Sequence, residues 1–196
     1  PIPAWETFVG ESGLGDILWK GTGSSFDLMG LIAAFGIAYS LTRINGQDGL
    51  SAGILSLSAF VVATPFVSSD AGNGIPTGYT GAGGILLALV IGLSTGIIFT
   101  WFMEKDYKIT MPEGVPPAIA RSFSALIPGA VILSFWLAVY GVLEASGIGN
   151  VHDIVGIILG GPLGLLGGNI FGTVILTGLN SLVWFVGIHG GNTVNA

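Results

Sequence analysis

The sequence predicts an all-α integral membrane protein, a multi-span helical bundle with an interfacial amphipathic helix and a Gly-rich broken or re-entrant segment. Three observations predict this fold class. Hydrophobic residues make up 51% of the 196 residues and charged residues only 8%, whereas soluble domains carry about 25% charged residues. Several apolar stretches reach the roughly 20 residues that a helix needs to cross a bilayer core. The 34 glycines recur within these stretches.

Five stretches are candidate transmembrane helices, and the third contains no charged residue. They are residues 26–43, 49–67, 81–103, 125–146 and 169–188. Between the last two lies 151–168, which is apolar but contains Gly160, Gly161 and Pro162. Because exposed backbone at membrane depth is tolerated only inside protein or along a cavity, we expect this segment to be re-entrant or interfacial.

The basic residues predict the orientation of the bundle. Four of them fall on one side if the spans alternate: Arg43, Lys105, Lys108 and Arg121. The opposite side holds Lys20 and most of the acidic residues. Cytoplasmic loops are enriched in Lys and Arg, so the 43–49 turn and the 104–124 loop are predicted to be cytoplasmic. The N-terminal segment lacks the features of a signal peptide, and we expect the chain to be an internal piece of a longer protein.

Composition also excludes several classes of function. The net charge is −6 with only five Lys and Arg, too few to neutralise many nucleic-acid phosphates, so no nucleic-acid partner is expected. The absence of cysteine excludes a disulfide framework, a thiolate zinc site and a cysteine nucleophile in this chain. His152 and His189 are too few for a histidine metal cluster. We therefore expect no metal and no cofactor.

Small residues recur every four positions in two segments, which places them on one helix face. Such faces let helix backbones approach closely in lipid. This pattern predicts helix–helix packing, and it leaves open whether the packed faces slide in a moving protein. The two sets are Gly84, Ala88, Gly92 and Gly96, and then Gly160, Gly164, Gly168 and Gly172.

The segment 108–129 predicts a short amphipathic helix on the cytoplasmic membrane surface. Glu113 and the Pro116–Pro117 pair suit a helix N-terminus, where negative charge and proline are both tolerated. Pro128 then allows a change of direction into the fourth span. A plain connector without chemistry is the alternative. The apolar stripe consists of Ile119, Phe123 and Leu126.

The fifth span carries a polar stripe on one helical face. A polar stripe cannot face lipid without an energetic cost, so it must face protein or a wet cavity. Asn180 and Trp184 lie one turn apart and place an amide beside an aromatic ring, a combination that suits sugars. The alternative is that the stripe only holds helices together. Its members are Thr173, Thr177, Asn180, Ser181 and Trp184.

The same span ends in GIHGGN. Ionisable residues at membrane depth are costly and usually functional, and the glycines around His189 leave backbone N–H and C=O groups accessible. We therefore expect the helix to unravel at a site and to present His189 there. The alternative is a helix cap with a solvated histidine.

Two motifs together resemble a known family. MPEGVPPAIARSFSALIPG (111–129) and VWFVGIHGGN (183–192) are similar to the membrane permease subunit, EIIC, of bacterial sugar phosphotransferase systems. The similarity is strongest to the lactose/cellobiose/diacetylchitobiose group and covers most of the chain. It implies a longer multi-pass protein of the bacterial cytoplasmic membrane, of which this chain forms roughly the N-terminal half.

The resemblance also implies a division of labour. Residues 1–165 would form a scaffold with the interface of a homodimer, and 166–196 would begin the region that carries the sugar. His189 would be the catalytic and sugar-binding residue. Its companions in substrate binding would be Gly190, Asn192, Trp184 and Asn180.

The implied reaction couples transport of a β-linked disaccharide to its phosphorylation. The phosphoryl donor in this family is a phosphocysteine on the separate EIIB subunit, which EIIA supplies, so the permease needs no phospho-carrier residue of its own. The alternative from another class is an ion-gradient-driven transporter or a channel subunit. Intramembrane acids would favour that alternative, but Asp27 and Glu144 lie at predicted span ends.

Overall fold

A computed structural model describes residues 3–70 and 72–164, together with Val174, Thr177, Gly178 and Ser181. This part of the chain is mostly helical, as the sequence predicts, with one small hairpin. In chain order the elements are α1 (Pro3–Glu11), α2 (Leu14–Phe26), α3 (Met29–Ile44), α4 (Gly49–Ala63), β1 (Val67–Ser69), β2 (Gly72–Gly74), α5 (Thr77–Thr80), a 3-10 turn (Ala82–Gly84), α6 (Ile85–Glu104), α7 (Pro117–Ser124), α8 (Leu126–Ser146) and α9 (Val151–Gly164).

The first four predicted spans correspond to α3, α4, α6 and α8. Three helical stretches are long and apolar enough to cross a membrane, namely Leu14–Ile44, Ala82–Glu104 and Pro117–Ser146, and α4 is a shorter apolar helix. α4 ends at Ala63 rather than at the predicted residue 67. The cause is Pro65, which disfavours helical backbone at the residue before it; Thr64 is accordingly extended.

Close packing of small residues joins α3 to α6. The predicted stripe is buried at Gly84, directly before α6, and at Ala88, Gly92 and Gly96 on α6. A Cβ atom at Gly92 would lie 2.8 Å from Cβ of Ile37, which is nearer than carbon atoms can approach. The two backbones therefore approach closely because this position lacks a side chain. The matching face of α3 consists of Gly30, Ala34, Ala38 and Thr42, all buried.

The directions of the helices follow from which residues meet. α3 and α6 are parallel, since the start of α3 meets the turn before α6 at Gly30 and Gly81, and its end meets α6 at Leu41 and Gly96. α4 runs back along α3, where the Ser56 hydroxyl donates to the backbone carbonyl of Ala34 at 2.7 Å. The ends of α3 and α6, with Arg43 and Lys105, therefore lie at one end of the bundle, as alternating spans predict.

The predicted amphipathic helix is α7, which begins at Pro117 directly after Pro116. The Ser124 hydroxyl shares its proton between the carbonyl of Ala120 in its own helix and the carbonyl of Ile109, each at 3.0 Å, and so links the end of α7 to the preceding loop. α8 begins directly after Ala125, so Pro128 lies in the first turn of α8, where proline is tolerated. The predicted apolar stripe is exposed on the described surface, as expected for residues that lie against lipid; it comprises Ile119 and Phe123 on α7 and Leu126 at the start of α8.

Two further features were not predicted from the sequence. The N-terminal segment forms α1 and α2, and the chain between α4 and α5 forms an antiparallel hairpin in which Val67 pairs with Gly74. The segment expected to be interrupted near Gly160 and Pro162 is helical through these residues, because α9 continues to Gly164.

Candidate functional site

The five residues predicted to bind the sugar lie outside the described residues. The structure therefore leaves His189, Gly190, Asn192, Trp184 and Asn180 as sequence predictions.

The structure describes two members of the polar stripe of the fifth span, Thr177 and Ser181. Both are helical and exposed, and the Ser181 hydroxyl donates to the backbone carbonyl of Thr177 at 3.0 Å. A serine that bonds the carbonyl one turn earlier needs no second helix to satisfy its donor. For Ser181, then, the hydroxyl donor is satisfied within its own helix, and only its acceptor capacity is left for another partner.

The other histidine, His152, lies in a polar cluster that sequence analysis did not find. Its Nε2 atom is 3.0 Å from Oγ1 of Thr64, and the Thr64 hydroxyl donates to the backbone carbonyl of Phe60 at 2.7 Å. Because a hydroxyl has a single proton, that bond to Phe60 leaves Oγ1 of Thr64 as an acceptor. The ring of His152 is therefore the donor in the shared bond, with its proton on Nε2.

Two aromatic rings enclose the imidazole. The ring of Tyr79 on α5 is stacked on it with centroids 4.4 Å apart, and the ring of Phe60 on α4 meets it edge-on at 5.7 Å. His152 is 9% exposed. Three segments that are distant in sequence thus converge on one side chain.

A second set of hydrogen bonds organises the first turn of α9. The side-chain carbonyl of Asn150 accepts from the backbone N–H of Asp153 at 3.1 Å, and the Asp153 carboxylate accepts from the backbone N–H of Asn150 at 3.3 Å. This reciprocal pattern resembles a capping box. The Asn150 amide also donates to the carboxylate at 2.7 Å and to the Tyr79 hydroxyl at 3.3 Å, which links the cap to the ring stacked on His152.

The environment of His152 keeps its ring neutral. Burial lowers the pKa of His152 to about 4, because the charged imidazolium loses its hydration, while the negative charge of Asp153 raises the pKa and offsets part of this effect. Within the described residues the buried Nδ1 atom has no hydrogen-bonding partner. A proton added there would be a buried donor without an acceptor, which is a second reason for the neutral form.

The cluster around His152 is suited to attaching α9 to the rest of the bundle rather than to catalysis or metal binding. Among residues 3–70 and 72–164, no group of three His, Asp or Glu side chains could hold a metal ion. The nearest sequence signal was the string NVHD after a glycine-rich turn, where Asn150 and Asp153 have the spacing of a helix cap. That signal predicts a helix start but says nothing of Thr64 or Tyr79.

Known proteins resemble the chain over nearly its whole length. The family described as "Phosphotransferase system, EIIC" matches residues 3–196. The lichenan permease IIC component of Bacillus subtilis (strain 168) is 39% identical, over 99% of this chain and 46% of its own length. The cellobiose-specific EIIC component of Geobacillus stearothermophilus is 37% identical, over 97% of this chain and 45% of its own length.

A solved structure has the same fold. The transporter ChbC, the IIC component from the N,N'-diacetylchitobiose-specific phosphotransferase system, matches with a TM-score of 0.77 and 34% identity, over 99% of this chain and 48% of that one. The helical membrane fold predicted from the sequence is thereby confirmed. The chain spans about half the length of the relatives that it matches.

Proposed function

The chain belongs to the phosphotransferase system EIIC family and is part of a multi-pass bacterial membrane protein, and we propose that it forms the N-terminal half of a sugar permease. The permease carries a β-linked disaccharide of the cellobiose or diacetylchitobiose type across the cytoplasmic membrane and couples this transport to phosphorylation. The observation that carries the proposal is the family match over residues 3–196, supported by relatives named for lichenan and cellobiose.

The two regions of the chain have different tasks in this proposal. Residues 1–165 form the scaffold and the interface of a homodimer, and residues 166–196 begin the transport region. The close packing of α3, α4 and α6 supports the scaffold role, because a rigid frame is what a moving region needs to move against. The exposed polar residues Thr177 and Ser181 support a wet cavity or another part of the protein beside the fifth span.

His189 binds the sugar and participates in phosphoryl transfer. EIIB, loaded through EIIA, holds the phosphoryl group on a cysteine at the cytoplasmic side. A sugar hydroxyl attacks the phosphorus atom, the bond from phosphorus to the cysteine sulfur breaks, and the hydroxyl proton leaves. The imidazole of His189 orients this hydroxyl or accepts its proton, since a histidine side chain titrates close to neutral pH. Asn180, Asn192, Gly190 and Trp184 hold the sugar.

Phosphorylation makes transport irreversible. The neutral disaccharide enters from outside, whereas the product carries a phosphate group that would have to lose its hydration to return through the membrane. The energy of the phosphocysteine bond thus drives accumulation of sugar without an ion gradient.

The direct test is sugar binding by the complete protein in detergent. We expect cellobiose or diacetylchitobiose to raise the melting temperature, because a ligand that binds only the folded state stabilises it; maltose, with an α-linkage, serves as the control. A protein that responds to none of these sugars but is stabilised by Na⁺ or by a change of pH would contradict the proposal and favour an ion-driven transporter.

A further inference from the structure

The first turn of α9 holds this helix on the bundle. Val151 and His152 are 6% and 9% exposed, whereas Ile157 and Ile158, less than two turns later, are 66% and 64% exposed on the described surface. The helix is therefore most deeply buried at its beginning, and Val155, one turn later, is only partly buried against the apolar core.

The connection from α8 to α9 is a short turn that contains two glycines. Gly147 and Gly149 have φ values of +66° and +118°, a region that residues with side chains rarely adopt. Only Ile148 and Asn150 complete this four-residue linker. α9 therefore follows α8 almost at once, and the side chains of its first turn add contacts that hold it in this direction.

His152 makes the contacts that fix this direction. It joins α9 to Thr64 at the end of α4 by a hydrogen bond and to Tyr79 on α5 by ring stacking. Val151 beside it belongs to the apolar core. The Asn150 amide adds a bond at 3.3 Å to the hydroxyl of Tyr79.

We propose that the first turn of α9 is a reversible joint, which the neutral imidazole of His152 closes onto the ends of α4 and α5 and which protonation of that imidazole opens. The contacts that support this joint do not depend on which sugar the protein carries. The joint matters for function because the chain that continues beyond α9 holds the predicted site residues.

The charges around the ring agree with a neutral closed state. α4 contributes Phe60 and Thr64, neither of which is ionisable, and α5 contributes the phenol of Tyr79. Asp153 on α9 itself is exposed and acts on the ring by its charge. α6, which also contacts α9, has no ionisable side chain before Glu104 at its far end. The remaining acidic groups on described neighbouring elements are exposed ones, namely Glu104, Asp70 between β1 and β2, and Glu144 near the end of α8.

The sign of the pH effect follows from the pKa of His152, which is about 4 in the closed joint against 6.5 for a solvated ring. The open state therefore binds a proton more readily than the closed state. Closure is strongest above pH 6.5, and it weakens by up to about tenfold for each pH unit between 6.5 and 4. Acidification on the side of the membrane that this cluster faces favours opening.

The experiment measures access to Val151, which only an open joint exposes. In a version of the complete protein without other cysteines, the rate at which a thiol reagent labels V151C is divided by the rate for A145C, an exposed position at the end of α8. Dividing by the exposed position cancels the pH dependence of the thiol itself. We expect the ratio to rise by about tenfold per pH unit, at most, as the pH falls from 6.5 to 4.5.

Three variants show whether His152 causes the rise. H152F keeps an aromatic ring beside Tyr79 but cannot be protonated, so its ratio should not depend on pH. T64V removes the hydroxyl and leaves the Nε2 proton without an acceptor, so its ratio at pH 7.5 should rise roughly tenfold. T64S keeps the hydroxyl and should match the unmodified protein.

Three results would overturn the proposal. The first is a ratio for V151C that stays constant from pH 7.5 to 4.5, and the second is a rise that persists in H152F. A third is a parallel rise for A59C, whose position on α4 is fully buried, because that would mean that the whole bundle unfolds. Each result is separate from the sugar test above, since cellobiose binding at neutral pH does not require the joint to open.

Discussion

The contact of α3 with α6 and the contact of α9 with the bundle are two opposite ways to join helices. The first runs along the helices and consists of small buried residues such as Ala34 and Gly92, without a charged group in the interface. The second is concentrated in the first turn of α9, where a hydrogen bond and a stacked pair of rings hold His152, and Val155 one turn later is only partly buried against the core.

The difference shows how a membrane protein can combine a fixed part with a part that moves. In lipid there is little hydrophobic force between helices, so close van der Waals contact along many small residues is the main source of affinity. Such contact does not respond to pH or to ligands. A small polar contact can be made and broken by one proton, which changes its free energy by more than 1 kcal/mol for each unit of pKa shift.

The largest expected effect is on phosphorylation of the sugar, without a change in the stability of the fold. In the complete protein, H189A should reduce phosphorylation of cellobiose by EIIB at least about 100-fold, the effect typical of losing an acid–base group. Its melting temperature without sugar should stay unchanged, because the scaffold described above does not depend on that residue. Sugar uptake at the normal rate in H189A would refute the role of His189.

The second-largest effect is expected from a substitution that disrupts the contact of α3 with α6. G92L places a side chain where even a Cβ atom would lie 2.8 Å from Ile37, so α3 and α6 must separate. We expect a loss of stability of about 3 kcal/mol or failure to fold, measured by thermal unfolding in detergent. The control is G141L on the exposed part of α8, where a Cβ would have no neighbour within 4 Å and where the effect should stay below about 0.5 kcal/mol.

The smallest effect tests a single buried hydrogen bond in the same scaffold. S56A removes the hydroxyl that donates from α4 to the carbonyl of Ala34, and we expect a loss of about 1 kcal/mol. Ser58 makes an exposed bond within its own helix, to the carbonyl of Ile54, and S58A should be nearly neutral. Equal losses in the two variants would mean that the buried bond between helices adds nothing to stability.

Much of the fold could be predicted because the bilayer imposes simple rules. Length and apolarity identified α3, α4, α6 and α8, and the four-residue spacing of small residues identified the face of α6 that packs on α3. The string beginning at Pro116 predicted α7. The helices α1 and α2 and the hairpin at Val67–Gly74 carry weaker signals, because they need not satisfy the length requirement of a spanning segment.

The two histidines also differ in how far the sequence could identify them. The pattern GIHGGN alone indicates His189 as a functional residue, since glycines and an imidazole at the end of an apolar span are unusual. No comparable pattern marked His152, whose function depends on residues far from it in the chain.

The sequence by itself determined the class of protein, the helices of its scaffold and its family, because hydrophobic length, helical periodicity and two local motifs are properties of neighbouring residues. Only the tertiary structure decided that His152 meets Thr64, 88 residues away, and that Asn150 meets Tyr79, 71 residues away. Such contacts depend on how whole helices pack. The burial that keeps the imidazole neutral arises only when those helices have come together.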